Sequence, residues 1–162
     1  MIYDSYLNWV RTHAVTESGT KFKGIFGLGE RASEDFFYPD GVYSLWTRDT
    51  PNPIDKGDLP GRNLYGTHPY YMYKHKPNSW VGVLHKLAAA QDWWIQNDQA
   101  NGIVNVQSVA IGGIADIYLM MGATPDYVMT KYYTLIGNPV LIPQWALGWN
   151  QCKYGYGSLK AQ

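Results

Sequence analysis

Short apolar runs recur along the chain, each closed off by Gly, Pro, Asn or Asp, and this rhythm restricts the fold more than any other feature. Ile25-Phe26-Gly27-Leu28 lies between glycines. Val42-Tyr43-Ser44-Leu45-Trp46 alternates and offers Val42, Leu45 and Trp46 to a core. Pro69-Tyr70-Tyr71-Met72-Tyr73 and Trp80-Val81-Gly82-Val83-Leu84 flank Lys74-His75-Lys76-Pro77-Asn78, a hairpin loop by composition. Trp93-Trp94-Ile95 and Ile103-Val104-Asn105-Val106 are joined by a polar turn, and Ile114 to Met121 follows the pair Gly112-Gly113. Strands of this length and spacing predict a β-sandwich.

Two segments depart from the rhythm. Thr50 to Arg62 carries three Pro and two Gly and reads as a long loop; such loops usually carry function or lack order. Thr124-Pro125 begins a helix, with Thr124 as N-cap and Pro125 as its first residue. Val128, Tyr132, Leu135 and Ile136 then share one face, and Gly137 with Pro139 ends it. Beyond it, Trp145-Ala146-Leu147-Gly148-Trp149 reads as one more strand, and Lys153 to Gly157 as a loop. A strand so near the end has little to pair with inside the chain, which hints at a larger architecture.

Composition removes several classes of function. Thirteen basic and thirteen acidic residues cancel, so no electrostatic footprint points to nucleic acid. No apolar stretch approaches the roughly 20 residues of a membrane span. The single cysteine, Cys152, permits no internal disulfide, and the histidines His13, His68, His75 and His85 are scattered without metal-ligand spacing. No cofactor is expected. Met1-Ile2-Tyr3-Asp4 does not begin a signal peptide, which is uninformative for a fragment. With 46% hydrophobic residues the chain is expected to be globular. Its 7 Trp and 14 Tyr offer faces for stacking on sugar rings, but composition by itself favours their filling a β core.

An ordered series of motifs resembles glycoside hydrolase family 31, the α-glucosidase and maltase-like enzymes. Gly27-Leu28-Gly29-Glu30-Arg31 is similar to the family's G-L-G-E-R element. Leu45-Trp46-Thr47-Arg48-Asp49, followed by Asn63-Leu64-Tyr65-Gly66-Thr67-His68-Pro69, resembles its L-W-x-R-D and N-L-Y-G-S/T-H-P pair. Gly112-Gly113-Ile114-Ala115-Asp116-Ile117-Tyr118, the boundaries of the helix, and Pro143-Gln144-Trp145-Ala146-Leu147-Gly148 with Cys152-Lys153-Tyr154-Gly155-Tyr156 continue the series. Before residue 24 no match is seen. Ala88-Ala89-Ala90-Gln91-Asp92 departs from the N-S-N-A-M-D-like segment of lysosomal and intestinal members.

The resemblance implies a mainly β chain: an unassigned segment 1–23, a galactose-mutarotase-like β-sandwich over 24–122, a connecting helix over 123–142, and the start of a (β/α)8 barrel over 143–162. It implies a retaining α-glucosidase, in which two carboxyl groups about 5–5.5 Å apart attack the anomeric carbon and protonate the leaving oxygen. Family members carry both on later barrel strands, so neither is expected in this chain, which alone would be inactive. Its partners would be an α-glucoside or oligosaccharide substrate and the remainder of the barrel, and its compartment lysosomal, secreted or endoplasmic-reticulum lumenal. Asp49 maps to a sugar-hydroxyl acceptor, against a turn-forming role at Thr50-Pro51. Arg48 would hold Asp49 through a carboxylate, against a solvated loop arginine, and Trp149 with Trp145 would line the first barrel strand and face the pocket. Trp46, Tyr65, Trp93 and Trp94 are expected in the core, Glu30 with Arg31 as a buried ion pair, and His68 as a donor to a carbonyl near Gly66. The competing readings are a stand-alone carbohydrate-binding module and a structural sandwich without catalysis.

Overall fold

The computed structural model describes residues 8–15, 24–31, 38–47, 63–98, 100–150 and 157, the first of these stretches as backbone alone. Eight strands are β1 (Asn8–Val15), β2 (Phe26–Gly27), β3 (Gly41–Leu45), β4 (Tyr70–Lys76), β5 (Ser79–His85), β6 (Gln91–Asp98), β7 (Ile103–Ala110) and β8 (Ile117–Gly122). Helix α1 (Pro125–Ile136) and a 3₁₀ turn at Gln144–Leu147 follow. The strands form two four-stranded sheets, one ordered β1-β7-β6-β3 and the other β2-β4-β5-β8, with every named pairing antiparallel. The segment 1–23, left without an element by the sequence, thus supplies an edge strand.

The sheets face each other across an apolar layer. Tyr43, Leu45, Trp93, Ile95, Val104 and Val106 come from the first sheet, and Tyr71, Tyr73, Val81 and Val83 from the second. Alternation follows from burial on one face only: in β6, Gln91, Trp93 and Ile95 point inward while Asp92, Trp94 and Gln96 face out. Tyr71 and Trp93 meet edge to face across the layer at 5.7 Å, a geometry worth about 0.5–1.5 kcal/mol beyond area alone. The second sheet is covered on its other face too, where Tyr70, Leu84 and Met120 pack on Val128 and Tyr132 of α1. Burial on both faces explains why Val81 to His85 in β5 is buried without alternation. Gly82 permits the approach of the helix, since a Cβ there would sit 2.7 Å from Val128 Cγ1 and 2.5 Å from the Tyr70 hydroxyl.

Helix α1 has the predicted caps. Thr124 Oγ1 accepts from the Tyr127 N–H at 3.2 Å, and the Gly137 N–H donates to the Tyr133 carbonyl at 2.8 Å with Gly137 at φ +93°. Only Val128 and Tyr132 of its expected face are buried; Leu135 and Ile136 are exposed.

Several expectations are corrected. Val42 and Trp46 are exposed, because Tyr43 pairs with Trp93 and Leu45 with Gln91, and this register sends positions 42, 44 and 46 outward. Lys74, His75 and Lys76 belong to β4, leaving the turn to Pro77-Asn78, with Asn78 at φ +55°. Trp145 to Trp149 is no strand. The Ala146 N–H donates to the Pro143 carbonyl at 3.0 Å and the Gly148 N–H to that of Trp145 at 3.3 Å, closing the segment into a 3₁₀ turn. A strand needs a neighbouring ladder, and no described strand pairs here, so the backbone satisfies itself locally.

Ile95→Ala is expected to destabilise the chain by roughly 2–5 kcal/mol through the cavity it leaves, whereas Val42→Ala on the outer face changes stability by about 0.5 kcal/mol or less. Urea denaturation of the two variants checks the inward and outward assignment directly.

Candidate functional site

Two of the motifs from the sequence interlock. Leu28 and Gly29 both adopt positive φ, +59° and +83°, turning the chain so that Glu30 and Arg31 meet Asn63 to Gly66. The Glu30 N–H donates to the Gly66 carbonyl at 3.2 Å, the Leu64 N–H to the Glu30 carbonyl at 2.9 Å, and Arg31 forms an antiparallel bridge with Asn63. Glu30 Oε2 accepts from the Gly66 N–H at 2.7 Å. Asn63, only 2% exposed, places its amide between the strands of this clamp, donating to the carbonyls of Glu30 at 3.2 Å and Gly66 at 2.7 Å. A Cβ at Gly66 would stand 3.1 Å from Glu30 Oε2, so a side chain there would require the carboxylate to shift by a few tenths of an ångström.

Arg31 extends the clamp to β3. Its Nε donates to the Leu28 carbonyl at 3.1 Å, its guanidinium donates to the Ser44 carbonyl, and the cation lies 5.5 Å from the centre of the Tyr43 ring. The expected Glu30–Arg31 ion pair is therefore replaced by separate tasks: the exposed carboxylate serves Gly66 and the guanidinium serves β3. Burial lowers the Arg31 pKa, with Tyr38 and Tyr43 opposing that shift.

The clamp holds both stems of the segment 48–62: β3 leads into it through Trp46 and Thr47, and Asn63 receives it. Arg48 and Asp49 lie outside the described residues, as does the long loop itself. Beside the two stems an open cleft of about 270 Å³ is lined by Trp46, Thr47 and Thr67 on one side and by Ala88, Ala89 and Ala90 on the other. Trp46 is 63% exposed, presenting an indole face rather than filling the core. Tyr65 and Trp94 are exposed as well, and of the four aromatics assigned to the core only Trp93 is buried.

His68, expected to donate to a carbonyl near Gly66, is engaged with α1 instead. Its Nε2 shares a hydrogen bond with the Tyr132 hydroxyl and its ring stacks on Tyr70 at 5.8 Å, tying the segment after the clamp to α1. Desolvation against these rings lowers its pKa, favouring the neutral imidazole. Trp149 is 90% exposed and Trp145 79%, and neither lines the cleft. Among the described residues no three His, Cys, Asp or Glu side chains converge as a metal site. The clamp's central residue, Asn63, was singled out by no chemical argument from the sequence; its signal was the motif it opens.

No family model matches the chain. A protein of Arthroderma benhamiae named "Probable alpha/beta-glucosidase" is 34% identical over 159 residues, covering 96% of this chain and 17% of that protein. The lysosomal alpha-glucosidase of Mus musculus is 33% identical over 140 residues, 83% of this chain and 13% of that protein. In fold, a family 31 alpha-glucosidase from Bacteroides thetaiotaomicron superposes with a TM-score of 0.66 at 23% identity, over 85% of this chain and 23% of that one. The chain thus spans less than a quarter of the length of these relatives.

Removing the amide in Asn63→Ala takes one of two donors from each of the Glu30 and Gly66 carbonyls, which keep the Leu64 and Glu30 N–H groups, and empties a buried position; it is expected to cost roughly 1–3 kcal/mol. Glu30→Gln keeps an oxygen for the Gly66 N–H and is expected to cost less than about 1 kcal/mol. Urea denaturation giving equal losses for the two would contradict this division of labour.

Proposed function

Since this chain belongs with the family 31 glycoside hydrolases, matching their α-glucosidases in sequence and in fold, we propose that it supplies the sandwich and one wall of the sugar pocket of a retaining α-glucosidase, while the reacting carboxylates come from a barrel it docks against. The observation that carries this reading is the clamp of Glu30, Arg31 and Asn63. A rigid support at both stems is what a segment needs in order to present a side chain to a substrate with little conformational loss. Asp49, two residues beyond Thr47, is the acceptor offered to glucose hydroxyls, and Arg48 orients it.

In such an enzyme one barrel carboxylate attacks the anomeric carbon while the other protonates the departing oxygen, and water then releases the glycosyl-enzyme with the second group acting as base. The sandwich contributes no proton and no nucleophile. Its part is to fix the non-reducing sugar by charge-assisted hydrogen bonds, each worth about 1.5–3 kcal/mol. The exposed apolar side chains of Val140, Leu141, Trp145, Leu147 and Trp149 form the face that meets the barrel. A domain arrangement of sandwich to residue 122, connecting helix to 142 and barrel entry from 143 accords with this division. A self-sufficient binding module would be expected to cover those side chains itself.

In a polypeptide joining this chain to a family 31 barrel, Asp49→Ala is expected to lower kcat/KM on a nitrophenyl α-glucoside by about 10- to 150-fold, the equivalent of one charge-assisted hydrogen bond. Unchanged turnover and KM would remove Asp49 from the sugar site.

A further inference from the structure

The apolar layer between the sheets contains one polar cluster that the sugar pocket does not use. His85, at the end of β5, is 1% exposed and sits among side chains of the opposite sheet. Its Nδ1 lies 3.2 Å from Ser108 Oγ on β7, and its ring meets Trp93 of β6 edge to face at 6.0 Å. His85 Nε2, Trp93 Nε1 and Gln91 Oε1 are all buried without a hydrogen-bond partner. Three such atoms in one place are costly unless something bridges them. His85, Ser108, Trp93, Tyr71, Val83 and Ile117 line a void of about 10 Å³, the room that one water molecule requires.

We propose that this cluster is an acid-sensitive latch between the two sheets, in which neutral His85 and Trp93 share a single buried water and protonation of His85 loosens the end of β5. In the neutral state Nδ1–H donates to Ser108 Oγ, and Nε2 accepts from a water that itself accepts from the Trp93 indole N–H. A proton from solvent added at Nε2 removes that acceptor and places a cation between two sheets. The groups facing the imidazole are the Gln91 amide from β6, which approaches it outside hydrogen-bond geometry, the Asp116 carboxylate from the β7–β8 connection, and the Tyr71 ring from β4. Burial, the largest influence, lowers the His85 pKa, and Gln91 and Asp116 oppose it less strongly.

The latch reaches the cleft through the backbone. The Leu87 N–H donates to the His85 carbonyl at 2.7 Å, and Gln91 Nε2 donates to the Leu87 carbonyl at 3.5 Å, so Leu87, which precedes the alanine wall, is tied to two members of the cluster. The unfolded chain takes up the His85 proton near the ordinary value of 6.5 and the folded chain only below it. Stability is therefore full above that pH and declines as pH falls toward the folded-state value.

The test is an imidazole NMR titration of the intact chain from pH 8 to 5, together with urea denaturation over the same range. His85 is expected to titrate below 6.5, with a persistent Overhauser contact between the Trp93 indole proton and water above that pH. The unfolding constant should rise by up to about tenfold per pH unit for His85, superimposed on the contribution of His68. In His85→Gln the pH slope should fall by one proton. A midpoint at or above the ordinary value, or no water contact at the indole, overturns the latch whether or not the variant folds; an unchanged slope in a folded variant does so as well.

Discussion

The layer of side chains between the two sheets fixes everything that follows from the fold. Tyr43, Tyr71, Val83, Trp93 and Ile95 pack there, and each faces inward because of an antiparallel register that leaves no choice about its neighbours. The second sheet has the harder task, since it is sealed against the first sheet on one side and against α1 on the other. Gly82 marks the cost of that double burial: helix and strand come so close that a methyl group would collide with both Val128 and Tyr70. The ends of its strands are thereby held by a packed layer on either side of the second sheet.

The clamp of Glu30, Arg31 and Asn63 uses one such end. It lies outside the apolar layer but is bolted to it through Arg31, whose guanidinium reaches the Ser44 carbonyl of β3 and covers Tyr43. The separate sequence elements G-L-G-E-R and N-L-Y-G thereby become one structure, with positive φ at Leu28 and Gly29 on one side and a side-chain-free Gly66 on the other. The kinship with family 31 α-glucosidases identifies the relatives, and the clamp is where two of the motifs that carry the resemblance meet.

The parts of the structure legible in the sequence are those whose signals are local. Thr124, Pro125 and Gly137 delimit α1 through caps that need no tertiary information, and the alternation of β6 and β7 reports a single buried face. Orientation of β3 was not legible, because Val42-Tyr43-Ser44-Leu45-Trp46 has apolar residues on both faces and only its pairing with β6 decides between them. The apolar run at Trp145 to Trp149 signals a wish for burial but not a partner, and among the described residues it has found a 3₁₀ turn in place of a ladder. Asn63 was invisible to chemical reading since its amide serves backbone carbonyls brought from 33 residues away in one case. Asp49 and Arg48 fall outside the described residues, and the roles proposed for them rest on the resemblance.

A sandwich closed around its own core, with an exposed apolar tail, has a definite dynamic signature. Amide hydrogen exchange of the chain by itself measures it. Amides of β5, β6 and β7 should exchange only through global unfolding, while those of residues 140–150 should exchange orders of magnitude faster. Protection of the tail equal to that of β6 would mean that Trp145 and Trp149 are sealed by this chain's own residues, and the account of a sandwich built to meet a separate catalytic barrel would fail.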